Sequence, residues 1–250
     1  MDFSPPVAPP LLISGFVFLP MLVVLVALIG VAAAVRRAGL SRLAYWLVAL
    51  LVVGAMAGSL ALAAQGALAQ FAARPPPFVP LTAACIALWV GISSSRVGRA
   101  LTSLPIAALI GFHVFRLPLE LLMHASAGAQ LMPRQMSYSG WNFDIVTGVT
   151  ALLVAPLAAF GGVTRSALLV WNAIGSFLLL VIVIIAVVSA PPLLAFGADA
   201  AHANTWVAYA PFIWLPTVLV PAAAAGHVVL WRRLLRAEDA TDLAPPAQAA

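Results

Sequence analysis

The 250-residue sequence has no lysine, so its 12 cationic side chains are all arginine. Without a lysine amine no retinal Schiff base can form, which excludes rhodopsin-like photochemistry. A single cysteine, Cys85, excludes an internal disulfide and a thiolate metal cluster. Charged residues are only 8% of the chain, too few to cover a water-facing surface. HExxH, GxSxG and a glycine-rich phosphate loop are all missing, so the chain carries no specific enzyme motif. No internal repeat supports an inverted-repeat transporter, and no long hydrophilic insertion divides the chain. MDFSPPVAPP has no basic n-region, and the apolar run after it leads into Arg36 and Arg37, so that run is expected to be retained as a span.

Hydrophobic residues make up 64% of the chain and mean hydropathy is +1.11. Apolar stretches without alternation, each near the roughly 20 residues that cross a hydrocarbon core, predict helices in a bilayer rather than a barrel. The expected fold is an all-α integral membrane helical bundle of about seven transmembrane helices, at about 11–35, 40–65, 78–94, 100–124, 143–163, 166–190 and 207–231. Residues 1–236 form one domain in this reading, and the small, acidic, proline-containing segment 237–250 a disordered cytoplasmic tail.

Basic residues are retained on the cytoplasmic side of a membrane. Arg36, Arg37, Arg42, Arg96, Arg99, Arg165, Arg232, Arg233 and Arg236 fall on one side of these spans, and Arg74 and Arg134 on the other. The N-terminus is therefore expected outside and the C-terminus inside. The net charge of +5 then serves contact with anionic membrane lipids, and no nucleic-acid partner is expected. Trp141 and Trp206 are expected at the outer interface, Trp46, Trp171 and Trp231 near the inner one. Gly54, Gly58, Gly161 and Gly162 read as positions of close helix packing.

The stretch GFHVFRLPLELLMH places His113, Arg116, Glu120 and His124 inside an apolar span. At about 100° per residue all four share one helix face, and Arg116 and Glu120, four apart, are expected to pair along it. Pro118 frees the carbonyl of Val114 and is expected to kink the span. The polar segment MPRQMSYSGWNFDIVTG follows, with Asn142 and Asp144 at the start of the fifth span, expected near the outer surface. Arg116, Glu120, His124, Asn142 and Asp144 are thus the candidate binding residues of an outward-facing polar cavity, with His113, Asn172 and Trp214 as support.

Intramembrane charge points to function. The preferred expectation is binding or transport of a small solute or ion. One alternative is a membrane-embedded metal-dependent enzyme, with His124, Glu120 and Asp144 as an N/O set for a divalent metal. The other is a subunit whose polar patch meets a membrane-protein partner. A bis-histidine haem is disfavoured, because counting from the basic ends puts His227 roughly 15 Å nearer the inner surface than His113.

FRLPLE, MSYSGWNFDIVTG, the WN opening the sixth span and APFIWLP in the seventh together resemble an uncharacterised group of bacterial multispanning membrane proteins. The resemblance covers roughly residues 111–221. It implies a bacterial inner-membrane setting and groups Arg116, Glu120, Asn142 and Asp144; it implies no reaction.

Overall fold

The computed structural model of the chain describes residues 5–199 and 201–236, and the segment expected to be a disordered tail lies outside them. The described residues form a helical bundle without strands. Five stretches are long and apolar enough to cross a membrane: Pro10–Arg37, Arg42–Ala64, Ile106–Gly128, Arg165–Val188 and Leu215–Leu234. Two shorter apolar helices, Phe78–Ser94 and Ile145–Ala159, fall where the third and fifth spans are predicted.

In chain order the helices are α1 (Pro10–Arg37), α2 (Arg42–Ala64), α3 (Phe78–Ser94), α4 (Arg96–Leu101), α5 (Ile106–Gly111), α6 (Arg116–Gly128), α7 (Ile145–Ala159), α8 (Arg165–Val188) and α9 (Val220–Leu234). Hydroxyl residues set several starts by accepting an otherwise orphaned backbone N–H. Ser41 accepts from Leu43 at 3.2 Å, Ser95 from Val97 at 3.1 Å and Thr164 from Ala167 at 3.2 Å. Gly39, at φ +62°, makes the left-handed turn that sends α2 back beside α1.

Two departures from the predicted spans shape the centre. The fourth span does not begin at residue 100: α4 stops, the Thr102 and Ser103 hydroxyls bond back to Arg99 and Ala100 at 2.7 Å each, and the helix restarts at Ile106 after Pro105. Pro105 needs no N–H donor there, so it suits a restart. From Ile106 the helix runs to Gly128 through a tight 3₁₀ turn at Phe112–Phe115, just before the expected kink at Pro118. The last helix begins at residue 215 rather than 207, and its first turn, Leu215–Leu219, is a π turn set by Pro216 and Pro221.

The main apolar core joins α1, α2, α3, α6 and α8 to residues 206–225. Phe16 sits between Trp206 and Phe212, with ring centroids 5.4 and 5.3 Å away, so Trp206 is buried in the core rather than placed at an interface. A smaller core of Leu109, Ile110, Ala151, Leu168 and Leu230 holds α5, α7, α8 and α9 together. Gly54 and Gly58 correct another expectation: a methyl group at either would meet nothing within 4 Å, so no helix packs closely there.

Candidate functional site

Helix α7 runs antiparallel to α5 and α6. Asp144, just before its first turn, pairs with Arg116, while Ala155 lies opposite Gly111. Arg116 stands ten positions after Ile106, about 15 Å up the helix, so α7 begins near the middle of its neighbour. This corrects the expected placement of Asn142 and Asp144 near the outer surface. The connection after Gly128 folds back into the molecule before α7 starts. Non-helical backbone at such depth survives only where protein satisfies it. Here Gly140 N–H donates to Ser137 O at 2.8 Å, Trp141 N–H to Gln135 O at 3.1 Å, and Asn142 Nδ2 to Met136 O at 3.0 Å. Gln135 anchors the segment, its amide donating to Ser189 Oγ at 3.1 Å and to His202 O at 2.8 Å.

Gly148 makes the junction possible. A Cβ there would fall onto the backbone nitrogen of Leu117, so only glycine lets α7 lie against α6 one turn beyond Asp144. The Asp144 backbone N–H donates to Asn142 Oδ1 at 3.0 Å, which fixes the turn into α7.

Arg116 is fully buried and is held by three atoms of two partners. Its Nε donates to Asp144 Oδ2 at 2.7 Å, one terminal nitrogen pairs with Asp144 Oδ1, and the other meets His227 Nε2 at 2.8 Å. Guanidinium nitrogens only donate, so His227 Nε2 must accept, and the ring hydrogen sits on Nδ1. That Nδ1–H donates to Asn172 Oδ1 at 2.8 Å, and the Asn172 amide donates to the His227 carbonyl at 3.3 Å. The hydrogen-bond logic makes His227 a neutral, fully engaged link between α6 and α8. The Arg116–Glu120 pair expected along the helix is not formed. Once α7 brings in Asp144 along the side of the guanidinium, a two-toothed carboxylate contact displaces the weaker neighbour contact.

Glu120 is bound instead through Oε2, which accepts from Asn142 Nδ2 at 2.7 Å. His124 turns away: its Nδ1 faces Ser137 Oγ at 3.1 Å and its exposed ring stacks on Tyr138 at 4.3 Å between centroids. Among the described residues no three His, Cys, Asp or Glu side chains converge on a possible metal position, so the expected His124, Glu120 and Asp144 set is not assembled. Trp214 also lies elsewhere, donating to Met56 O of α2 at 2.9 Å. Of the predicted residues, the structure brings together Arg116, Glu120, Asn142, Asp144 and Asn172, with His113 against His227 at the edge of the same network.

His113 and His227, expected at different depths, pack together with centroids 4.2 Å apart. The restart at Ile106 explains it: His113 stands seven positions after that residue, and His227 seven before Leu234. Their rings lie against each other, tilted by 37°, and His227 Nε2 is already engaged, so no iron fits between their nitrogens. Methyl groups on Gly226 and Gly175 would come within 2.8 Å of the His113 ring and 2.7 Å of the His227 ring. These two glycines form the cradle, and His227 is the central residue missed by counting depth along unbroken spans.

A cavity of about 280 Å³ opens beside this network. Its walls are the first turns of α3 and the last turns of α8, and its floor is α6 with residues 215–223. The lining is mainly apolar, with Arg116, Glu120 and Asp144 on one side. Thr82 Oγ1 and Asn204 Oδ1, on two further lining residues, are buried without a hydrogen-bond partner. No protein-family model, curated protein or solved structure matches the chain.

Proposed function

We propose that this is a membrane-embedded binding and transport protein for a small, largely apolar solute whose head donates hydrogen bonds, such as an alcohol, amine or ammonium. In this reading the two shorter apolar helices also enter the bilayer, giving seven spans in a bacterial inner membrane with the arginine-rich end cytoplasmic. The asymmetric arginines and the resemblance of residues 111–221 support that setting.

The cavity carries the proposal. Apolar walls with a few convergent polar groups are the usual form of a site for a small organic molecule, and they suit a bare ion poorly. The charge of Arg116 is matched by Asp144, and His227 is held neutral by its hydrogen bonds. What remains for a ligand is mostly acceptors: Asn204 Oδ1, the Thr82 hydroxyl, which can accept or donate, and Glu120, a carboxylate whose bond to Asn142 uses Oε2. Buried acceptors left open are costly, so a donor head gains by filling them.

Octylamine, octanol and octanoate, which differ only in the head, test this reading with protein in lipid nanodiscs. The amine and alcohol are expected to raise the melting temperature of wild type and to lose most of that effect in Glu120→Leu. Equal shifts from all three, or shifts unchanged in Glu120→Leu, would overturn it.

A further inference from the structure

A second cavity, of about 330 Å³, lies at the arginine-rich end and is separate from the Glu120 site. It is lined by α1 from Val26 to Ala33, by Val48 and Val52 of α2, and by parts of α3, α5 and α9. Val26 to Ala33 stand four to eleven positions before Arg37, so the cavity runs from about 6 to about 16 Å below that end. That is the depth range of the upper part of an acyl chain in one leaflet. Val26 and Ile29 are exposed, so the cavity meets the surface along α1.

Its mouth carries unmatched positive charge. Arg232 bonds to Ser95 O at 3.1 Å and to Ser93 O, and Ser93 itself lines the cavity. One turn on, Arg236 donates to Thr102 Oγ1 at 3.0 Å. These two arginines therefore bracket α4, which carries Arg99, and Leu101 and Leu104 just beyond are also cavity residues. The described residues contain only three acids, Glu120, Asp144 and Asp199. The first two belong to the central network, and Asp199 pairs with His202 at 2.8 Å. Arg99, Arg232 and Arg236 thus have no carboxylate partner among the described residues.

We infer that this is a binding site for one anionic phospholipid, with an acyl chain in the cavity and its phosphate against Arg99, Arg232 and Arg236. An apolar slot at acyl depth and cations at headgroup depth, joined through Ser93 and Leu101, match the two ends of such a molecule. A free phosphate would use the arginines and leave the slot empty. A neutral lipid would use the slot and leave the arginines unpaired.

Protein is equilibrated in nanodiscs with equal phosphatidylglycerol and phosphatidylcholine, re-extracted in mild detergent, and its retained lipid counted by native mass spectrometry. Wild type is expected to keep one phosphatidylglycerol in preference to phosphatidylcholine. Arg99→Gln is expected to lower that preference about fivefold, and Arg99→Gln with Arg236→Gln further. Ala33→Phe, which fills the slot without touching a charge, is expected to lower retention comparably with the melting temperature preserved. No preference between the lipids would overturn the site. Retention lowered by the arginine changes but not by Ala33→Phe, and competed by millimolar inorganic phosphate, would make it a phosphate site only. A preference for phosphatidylglycerol unaffected by the arginine changes would place the headgroup contact elsewhere, again overturning the site.

Discussion

Arg116 is the residue on which most of the buried polar structure depends. A charge taken out of water is tolerated when it is paired and hydrogen-bonded, and removing one member leaves the other as an uncompensated charge. Asp144→Leu or Arg116→Leu is therefore expected to cost about 3–5 kcal/mol, while the double variant costs less than their sum. Melting of the four proteins in detergent checks this, and additive losses would break the assigned pair. Glu120 stands differently, since its one bond comes from a neutral amide. Glu120→Gln is expected to melt within about 1 kcal/mol of wild type, far less affected than Asp144→Asn, which deprives the guanidinium of a charged partner. His113 has two buried ring nitrogens without a hydrogen bond, so His113→Leu forfeits none. It is expected to cost about 1 kcal/mol or less, mainly lost edge and tilted ring contacts; a loss as large as that of Arg116→Leu would reveal an essential polar partner.

At the scale of elements, the junction of α6 and α7 decides whether these residues meet. α7 has 15 residues, about 22 Å of helix, and the return after Gly128 runs beside the upper part of α6 before α7 starts. That return can be buried because its own side chains, Gln135 and Asn142 above all, satisfy the backbone around it. Gly148→Ala is expected to cost about 1–3 kcal/mol, because the added methyl meets backbone that cannot swing aside. Gly58→Ala is the control: space there is open, and the change is expected to be neutral or to stabilise α2 by up to about 1 kcal/mol. Similar losses from both would mean that α7 does not lie against α6 as described.

Across the whole molecule, the hydrogen bond from Arg165 to Leu234 O at 2.7 Å and those of Arg232 and Arg236 gather the starts and ends of four helices at one pole. The proposed orientation puts that pole in the cytoplasm. In a Cys85→Ala background, Ala38→Cys and Ala129→Cys mark exposed positions at opposite poles. An impermeant thiol reagent applied to intact cells is expected to label position 129, and to reach position 38 only after permeabilisation. The opposite pattern would invert the protein and move the Glu120 cavity to the cytoplasmic side.

The helical, lipid-compatible class and the apolar runs were determined by the sequence alone, because composition and local periodicity respond to solvent without needing a partner. Arg116 and Glu120 stood out for the same reason, since charge inside an apolar run is conspicuous wherever the run folds, and Asn142 and Asp144 stood out in the polar segment before the next run. Their pairing was a matter for tertiary structure. Counting along the chain favours Glu120 for Arg116, whereas packing supplies Asp144 from 28 positions away and His227 from 111. The shared depth of His113 and His227 was lost because the helix restart at Ile106 moves His113 closer to its helix start, and such a restart depends on local capping that an apolar count does not register. His124 shares a helix face with Glu120 but not its surroundings, since the returning segment covers one with Ser137 and Tyr138 and the other with Asn142. The physical reason is common to all of these: a helix face is a local property, while what lies opposite it is set by the packing of distant segments.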